Sequence, residues 1–509
     1  MLNIVQLHWE RANLHLTVDC EINGDVFLVK EDQKLLLQTA GKEIVLPVYN
    51  LPQGESLPAG KWRFVCNDTI ITVSKELISD FENLSRNFFY RNEKYALLIN
   101  FDVDGELGLC LYSRYMMINH SPKKFFRPAE GKGLKDKLKV ISAVLGMKAA
   151  ALYYKILRLF RRPKNVLFLT ENNNELTGNL KMLYGHMDFK KYKVRVFAEN
   201  TCGSKKKSYG KTLKELTYLG LSSVIFVDNY CSLLTGIKPG KNVKLIQLWH
   251  AGLGFKALGY ARFGIAGSPH PFYSCHREYT HVFLDDERFT DIYEEMFACN
   301  RNAFRAVGIP RLDEYLDRAK YLATADSLYA ENRLLKTKKT ILFAPTFRGQ
   351  SHKEAHYDFS ALNFDVIYDF LKRNGFVMLL KMHPFINNKP DISEKYRDRI
   401  FDYSDHEIND LIYISDILIT DYSSCAYEFS LFNRPLIFFR YDKTVFEYEH
   451  HVFTLDVFSK KQREVQTFDE LIKVLNEIKD DLPADRFSEI SKADRKDVCK
   501  AILADVFGE

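Results

Sequence analysis

The chain has 509 residues, more than one hydrophobic core usually supports, so we expect about three domains. Apolar residues make up 46% and charged residues 27%, with no excess of Pro or Gly, which excludes a disordered or fibrous chain. The formal net charge of +6 is small for this length, and no nucleic-acid partner is predicted. Nine scattered Cys residues without a C-x-x-C pair favour reduced thiols over disulfides or a zinc site.

Residues 1–128 are predicted to form a small β-rich N-terminal domain. Short runs at 25–30 and 95–102 alternate apolar and polar residues, and turn signals such as Asn23-Gly24 separate such runs. The domain has no catalytic pattern, so we expect a docking or oligomerisation role and leave a homo-oligomer open. The start of the chain lacks a basic segment followed by an apolar stretch, and no signal peptide is predicted.

Residues 129–164 are predicted to form a basic amphipathic linker helix. Ten Lys or Arg residues and a single acid lie between Lys132 and Lys164. Such a helix can lie on an anionic membrane surface, and the alternative is an interdomain helix packed on its own protein. Three cations within 140–160 argue against a membrane-spanning helix. The apolar stripe consists of Leu134, Leu138, Ile141, Leu145, Ala149, Leu152, Ile156 and Leu159, flanked by Lys148, Lys155, Arg158 and Arg162.

Beyond Pro163 the strands become continuous apolar runs with helices between them, which indicates parallel sheets buried on both faces. We therefore predict an α/β, GT-B-like protein with two doubly wound, Rossmann-like lobes at 165–318 and 319–509. Its substrate cleft is expected at the carboxyl ends of the strands. The predicted strands are 165–170, 192–197, 223–228, 243–248, 340–345, 376–381, 416–420 and 435–439.

Two motifs at predicted strand ends contain histidine. His250 follows the strand at 243–248 and enters a glycine-containing turn that ends at Lys256. A histidine can accept a proton from an alcohol near neutral pH, and a lysine can bind phosphate. His383 lies beside Lys381 in the run Lys381-Met-His-Pro-Phe385. The alternative for each histidine is a purely structural hydrogen bond.

Two further motifs suit anionic ligands. Arg348, in the run Ala344-Pro-Thr-Phe-Arg-Gly349, offers a planar fork for phosphate or carboxylate, although an isolated Arg is often only a surface charge. Ser423 and Ser424 open a predicted helix whose first turn could bind a pyrophosphate, and Glu428 could accept bonds from ribose hydroxyls. The alternative there is a plain helix cap.

Five segments together resemble the CDP-glycerol and CDP-ribitol phosphotransferases of teichoic acid synthesis, from about residue 165 to the C-terminus. The segments are WHAG…FK at 249–256, GIPRLD at 308–313, ILFAPTFRG at 341–349, KMHPF at 381–385, and ITDYSS at 419–424 with Tyr427-Glu428 and Arg434-Pro435. The resemblance implies a GT-B fold, a CDP moiety held mainly by the C-terminal lobe, and catalytic histidines at His250 and His383. It assigns donor or phosphate binding to Lys256, Arg311, Thr346, Arg348, Lys381, Asp421, Ser423, Ser424 and Glu428.

The first of these segments favours the ribitol branch of the family. The glycerol enzymes tend to read WHGTPLKK, whereas residues 251–256 and the run Tyr260-Ala-Arg-Phe-Gly264 look more like the ribitol-phosphate enzymes. The β-rich N-terminal region also looks more like that branch. CDP-ribitol is therefore the favoured donor and CDP-glycerol the other one considered.

The predicted reaction is a direct displacement at phosphorus. His250 deprotonates a hydroxyl of a lipid-linked teichoic acid acceptor, which attacks the polyol-bearing phosphorus of the CDP-polyol, and CMP leaves. No carboxylate cluster suggests a metal site, so no obligatory cofactor is predicted and Mg²⁺ assistance is left open. The resemblance implies peripheral attachment to the cytoplasmic face of the membrane. The alternatives are a nucleotide-sugar glycosyltransferase and a non-catalytic membrane scaffold.

Overall fold

The computed structural model describes most of the chain, which forms two compact units. One unit comprises residues 1–249 and 257–306, and the other comprises residues 250–256 and 307–509. No helix in the described part is both long and apolar enough to cross a lipid bilayer. The described residues are 2–31, 33–51, 56–90, 95–117, 146, 148–200, 208–231, 233–235, 239–240, 242–249, 256–264, 269, 274–349, 354–390, 392–453, 462–482 and 497–508.

A twelve-stranded mixed sheet begins the first unit. In its second strand Leu14, Leu16 and Val18 are buried and the residues between them are partly exposed, so one face of the strand joins the core. The strands are β1 (Asn3–Glu10), β2 (Asn13–Val18), β3 (Val26–Lys30), β4 (Gln33–Leu36), β5 (Gln38–Ala40), β6 (Glu43–Pro47), β7 (Gly60–Cys66), β8 (Thr69–Ile70), β9 (Thr72–Val73), β10 (Arg86–Tyr90), β11 (Tyr95–Asp104) and β12 (Gly108–Met117). Two short helices, α1 (Lys75–Ile78) and α2 (Phe81–Leu84), follow β9.

The strand order of this sheet is β4-β3-β7-β12-β9-β1-β2-β6-β5, while β8 pairs with β7, and β11 pairs with both β10 and β12. Its core includes three residues from much later in the chain, namely Tyr260, Phe263 and Ala298. Residues of the following lobe therefore complete the core of the N-terminal sheet, and the two belong to a single compact unit.

A six-stranded, fully parallel sheet completes the first unit, in the order β14-β13-β15-β16-β17-β18. All six residues of its central strand β15 are buried, as expected of a parallel sheet covered on both faces. The strands are β13 (Arg162–Thr170), β14 (Lys193–Ala198), β15 (Ser222–Val227), β16 (Lys244–Gln247), β17 (His281–Leu284) and β18 (Phe304–Ala306). The helices are α3 (148–157), α4 (Gly178–Gly185), α5 (Tyr209–Leu221) and α6 (Thr290–Phe297).

The second unit is built on another six-stranded parallel sheet, in the order β21-β20-β19-β22-β23-β24. The strands are β19 (Lys339–Phe343), β20 (Phe376–Leu380), β21 (Ile400–Asp402), β22 (Ile417–Thr420), β23 (Leu436–Phe439) and β24 (Gln462–Val465). The helices are α7 (Arg318–Glu331), α8 (Leu334–Thr337), α9 (Phe364–Asn374), α10 (Ile408–Ile414), α11 (Cys425–Ser430), α12 (Lys443–His450), α13 (Phe468–Ile478) and α14 (Val498–Phe507).

Local sequence signals set the ends of these helices. The side chain of Asn363 accepts hydrogen bonds from the N–H groups of Asp365 and Val366 and so caps the start of α9. Gly375 ends the same helix with φ +72°, a left-handed conformation that glycine adopts without steric cost. The chain can then turn directly into β20.

The second compact unit begins at residue 307, inside the range predicted for the first lobe. The turn Pro310–Leu316 packs with α7 and α14, and two hydrogen bonds fasten it to the second unit. Val498 N–H donates to Asp313 Oδ2 at 3.1 Å, and the Tyr413 hydroxyl donates to the Glu314 carbonyl oxygen at 2.7 Å. Of the linker helix predicted at 129–164, residues 129–145 and 147 lie outside the described residues, and α3 covers 148–157. The predicted end is wrong, because a short 3-10 turn follows at Arg158–Phe160 and the strand β13 begins at Arg162.

Candidate active site

Three of the predicted motifs lie at the carboxyl ends of strands that are neighbours in the second sheet. Residues 344–349 follow β19, residues 381–385 follow β20, and residues 421–424 follow β22. Because the strand order reverses direction between β19 and β22, ligands are expected in the crevice at this edge. The Thr346 N–H donates to Asp421 Oδ1 at 2.8 Å, which joins two of the motifs directly.

Arg348 lies between two carboxylates and is only 7% exposed. Its Nη1 donates to Asp421 Oδ2 at 2.7 Å, and its Nε and Nη2 donate to the two carboxylate oxygens of Asp442 at 2.6 and 2.8 Å. Burial alone would lower the Arg348 pKa, but the two carboxylates outweigh it and the pKa is raised. The guanidinium therefore stays charged, and its charge is compensated within the protein.

Lys256 and Thr346 contact each other beside this network. Lys256 Nζ donates to Thr346 Oγ1 at 2.6 Å and lies over the rings of Phe347 and Phe446, 4.9 and 5.1 Å from their centroids. The backbone of Lys256 pairs with Val452 in an isolated antiparallel bridge. A cation and a hydroxyl that the sequence places 90 residues apart are thus held side by side.

His383 also contacts the Phe347 ring. Its ring centroid is 4.9 Å from that of Phe347 and 4.7 Å from that of Phe385. The Phe385 N–H donates to His383 Nδ1 at 3.2 Å. An accepting Nδ1 requires that the neutral imidazole carry its proton on Nε2, which makes Nε2 a hydrogen-bond donor. In this tautomer His383 is suited to donating to a phosphoryl oxygen.

Lys381 forms its hydrogen bond in a different part of the second unit. Its Nζ donates to the Ser404 carbonyl oxygen at 2.6 Å, in the loop after β21. Half-burial lowers the Lys381 pKa, and the carboxylates of Glu407, Asp405 and Asp402 oppose that shift. The described contacts of Lys381 therefore connect the ends of β20 and β21 rather than the Lys256–Thr346 pair.

Arg311 and Glu428 form an ion pair, and the Glu428 side chain is only 2% exposed. Arg311 lies in the turn Pro310–Leu316, and Glu428 lies in α11, which follows β22. The same pair is close to Cys425. Burial is the main cause that raises the pKa of that thiol to about 11, while hydrogen bonds with Ser423 and Thr420 and the charge of Arg311 oppose the rise. Two residues assigned to donor binding are thus paired next to the third motif.

Ser423 and Ser424 begin α11. Ser424 is the residue before the first helical turn, and Ser423 Oγ accepts from the Cys425 N–H at 3.5 Å. The helix has only six residues, so its dipole is small. A pyrophosphate site at this turn stays a prediction.

His250 and the rest of residues 250–255 lie outside the described residues.

In the first unit, donor atoms of Glu171, Glu215 and Cys231 lie within 4.8 Å of one another, and all three residues are buried. Burial raises the Cys231 pKa well above its usual value and the two carboxylates raise it further, which keeps the thiol protonated. Cys231 Sγ lies 4.0 Å from Glu215 Oε1. No sequence motif identifies these three residues.

Two residues that contact the predicted motifs, Asp442 and Phe446, were not predicted from the sequence. Asp442 binds Arg348 through two hydrogen bonds, and Phe446 stacks on Tyr422 with a centroid distance of 4.2 Å. The Arg348 guanidinium carbon lies 4.5 Å from the Phe446 ring centroid. The sequence indicates only that Phe446 is a buried apolar residue of an amphipathic helix. Its spacing does not identify Asp442 as an ion-pair partner of Arg348.

Residues 151–498 match the family described as CDP-Glycerol:Poly(glycerophosphate) glycerophosphotransferase. The chain belongs to this family. The matched range includes both parallel sheets and the whole crevice, while nearly all of the residues before α3 lie outside it. The resemblance drawn from the five sequence segments is confirmed.

Curated relatives in the glycerophosphotransferase family include ribitol-phosphate polymerases. The teichoic acid poly(ribitol-phosphate) polymerase of Bacillus spizizenii is 35% identical over 336 residues, which cover 64% of this chain and 53% of that protein. The teichoic acid ribitol-phosphate polymerase TarK of Staphylococcus aureus is 34% identical over 328 residues, which cover 62% of each chain. The chain therefore spans between half and two thirds of the length of these relatives.

Solved structures of the wall teichoic acid polymerase TagF have a similar fold. One superposes with a TM-score of 0.55 at 19% sequence identity, covering 73% of this chain and 96% of that one. A TagF variant superposes with a TM-score of 0.55 at 20% identity. Together with the two parallel sheets, this similarity shows an α/β, GT-B-like fold.

Proposed function

We propose that the chain transfers a polyol phosphate from a CDP-polyol to a hydroxyl group of a growing teichoic acid, with release of CMP. The observation that carries the proposal is the edge of the sheet at β19 and β22, where Lys256 contacts both Thr346 and the Phe347 ring and His383 contacts the same ring. A cation and two hydrogen-bonding groups at a topological switch point suit a phosphorus centre that becomes more negative during displacement. Membership of the family supports the same reaction.

In the proposed reaction His250 removes the proton from the acceptor hydroxyl. The oxygen attacks the polyol-bearing phosphorus of the CDP-polyol, a new phosphodiester bond forms, and the bond to the CMP oxygen breaks. The Nε2–H of His383 and the ammonium group of Lys256 would stabilise the phosphoryl oxygens. These groups supply positive charge without a metal ion, so we expect turnover to persist in EDTA.

We propose a supporting role for Arg348 rather than direct contact with the donor. Most of its N–H groups donate to Asp421, Asp442 and the Thr346 carbonyl oxygen. These bonds fix the loop that presents Thr346 to Lys256. Preorganised donors of this kind stabilise developing charge because they need not reorient during the reaction.

Ribitol phosphate is the favoured transferred group. Three ribitol-phosphate polymerases match 62 to 64% of this chain at 33 to 35% identity, whereas the glycerol-phosphate primase of Bacillus subtilis matches 44% of it at 32%. Whether one unit or many are added depends on how the acceptor is held, and the proposal covers both outcomes.

We further propose that α3 and the turn after it contact an anionic membrane, where a lipid-linked acceptor would be found. Leu152, Ile156, Leu159 and Phe160 are 60, 47, 81 and 65% exposed. The basic residues Lys148, Lys155, Arg158 and Arg162 are exposed beside them. An apolar surface flanked by cations suits the headgroup region of an anionic leaflet.

The opposite face of α3 packs on the first lobe. Tyr154 is buried, the Tyr153 hydroxyl is 2.8 Å from Thr217 Oγ1 on α5, and Arg161 Nε donates to the Gly220 carbonyl oxygen at 3.1 Å. The packed face orients the helix so that the apolar and basic side chains point outward. This arrangement supports membrane contact without requiring α3 to detach from the first lobe.

The donor is tested by incubating the purified chain and a defined lipid-linked acceptor with CDP-ribitol, CDP-glycerol or a UDP-sugar. We expect CMP release with CDP-ribitol, slower release with CDP-glycerol, and product masses that increase by polyol phosphate units. His250→Ala should lower turnover by about two or more orders of magnitude, as expected for loss of a proton-transfer group. His383→Ala should lower it by a similar factor, as expected for loss of a hydrogen-bond donor to developing charge. Turnover with the UDP-sugar alone would instead support a glycosyltransferase.

A further inference from the structure

The residue that precedes His250 has an unusual backbone conformation. Trp249 has φ +43° and is 7% exposed. A non-glycine residue in the left-handed region costs about 1 kcal/mol or more, so the surrounding contacts must hold it there. Such conformations are common at functional sites, where the chain has to leave a strand in a set direction.

Side chains bind both backbone polar groups of Trp249. The Trp249 N–H donates to Gln247 Oε1 at 2.8 Å. Asn179, in the first turn of α4, donates through Nδ2 to the Leu248 carbonyl oxygen at 3.1 Å and also to the Trp249 carbonyl oxygen. Asn179 is 2% exposed and Gln247 is fully buried. A strand end is thus oriented by two buried amide side chains.

Gln247 is itself fixed by a second set of hydrogen bonds. Its Nε2 donates to the Tyr279 hydroxyl at 2.8 Å, and that hydroxyl lies 3.0 Å from His276 Nδ1. Burial lowers the His276 pKa to about 3, so the ring is neutral and Nδ1 can accept the Tyr279 proton. The amide of Gln247 therefore cannot rotate without breaking this chain of hydrogen bonds.

The indole ring of Trp249 is held as firmly as its backbone. It packs edge-on against Phe297 with a centroid distance of 5.3 Å and against His276 at 6.5 Å. His276 stacks on Phe297 at 5.0 Å. The ring and both backbone groups of Trp249 are thus fixed by residues of the first unit.

We infer that Asn179 and Gln247 are positioning residues for His250. The Trp249 carbonyl group is covalently joined to the amide nitrogen of His250 in one planar peptide group. The hydrogen bond from Asn179 to that carbonyl oxygen therefore holds the described side of this peptide group. The inference rests on the proposed function, in which His250 is the base. It adds Asn179 of α4, which no sequence motif includes, and gives a role to Gln247 of β16.

The test compares Asn179→Ala with the parent enzyme in CMP release from CDP-ribitol. We expect kcat to fall about 10- to 100-fold, as for a small displacement of a catalytic group. KM for the donor should stay within about twofold, because donor contacts are proposed only in the second unit. Gln247→Met keeps the side-chain length and removes the side-chain hydrogen bonds to Trp249, Tyr279 and Asn229. It should behave in the same way and serves if Asn179→Ala does not fold.

Asn165→Ala is the matched control. Asn165 is also a buried asparagine of the first lobe, and its Nδ2 donates to the Leu221 carbonyl oxygen at 2.8 Å, away from the end of β16. Its loss should lower the melting temperature and leave kcat unchanged. Equal losses of kcat in Asn165→Ala and Asn179→Ala would show a general structural effect and overturn the inference.

A double-mutant cycle separates positioning from stability. If Asn179 acts through His250, adding Asn179→Ala to His250→Ala should cause no further loss of kcat. An unchanged kcat in Asn179→Ala, or an equal loss in both backgrounds, would contradict the inference. If the parent enzyme releases no CMP, or if His250→Ala keeps parental turnover, the proposed function fails instead.

Discussion

Among single residues, Arg348 departs most from the role that its sequence motif suggests. An arginine has five N–H donors, and Arg348 directs four of them to Asp421, Asp442 and the Thr346 carbonyl oxygen. Removing one partner of a buried ion pair leaves an uncompensated charge in a medium that solvates it poorly. The main effect of Arg348 should therefore be on the stability of the second unit.

We predict that Arg348→Ala lowers the free energy of unfolding by about 3–5 kcal/mol, measured by urea denaturation. Adding Asp421→Asn should recover part of this loss, because the amide keeps an oxygen for the N–H groups that Asp421 binds. A variant as stable as the parent that binds CDP-polyol at least tenfold more weakly would instead favour direct contact between Arg348 and the donor.

The sequence allowed the prediction of several site residues but not of their partners. Lys256, Thr346 and His383 stand in motifs at strand ends, and the parallel topology brings such ends to one edge. Asp442 lies in a turn before α12, far along the chain from Arg348, and no periodicity connects the two. Long-range ion pairs of this kind depend on how the loops fold over the sheet.

Among secondary-structure elements, the parallel strands were the most predictable. The eight strands predicted from continuous apolar runs correspond to β13, β14, β15, β16, β19, β20, β22 and β23. Four strands, β17, β18, β21 and β24, were not predicted, because each has only three or four residues and so presents no long apolar run. Burial on both faces is what makes a parallel strand recognisable in sequence.

The described part of α3 has the exposed apolar and basic side chains expected of a helix on a membrane surface. We predict that the triple variant Lys148→Glu, Lys155→Glu and Arg162→Glu no longer floats with phosphatidylglycerol vesicles. Binding of the parent should weaken between 0.1 M and 1 M salt, as the screening length falls from about 10 Å to about 3 Å.

The matched control for α3 reverses three exposed lysines elsewhere on the first lobe, namely Lys181, Lys190 and Lys193. It changes the net charge equally and should still float with the vesicles. If both triple variants float as well as the parent does, α3 is only an internal brace and the membrane proposal for it is wrong.

At the scale of the whole molecule, the N-terminal sheet and the first lobe behave as one structural unit. Phe263 packs against Tyr49, Phe88 and Tyr90 with ring centroids 5.7 to 6.3 Å apart. Arg277 Nε donates to the Tyr260 hydroxyl at 2.9 Å, and its Nη2 donates to Ser56 Oγ at 3.0 Å. The sequence pattern predicted a separate module because alternation within strands does not reveal which later residues complete a core.

We predict that Phe263→Ala lowers the stability of this unit by about 3–5 kcal/mol, the usual cost of removing a buried phenyl group. Hydrogen exchange should show the loss in strands of both sheets, for example in β12 and β15, because both sheets belong to one compact unit. Loss of protection in only one of the two sheets would show that they unfold independently.

The shared core also has a consequence for synthesis on the ribosome. The N-terminal sheet is translated first, yet Tyr260, Phe263 and Ala298 belong to its core. At about 5–20 residues per second, the chain needs roughly 10–40 s to grow from the end of β12 to Ala298. During that interval the nascent sheet exposes an incomplete apolar core. The chain should therefore depend most on a chaperone while residues 118–298 are being translated.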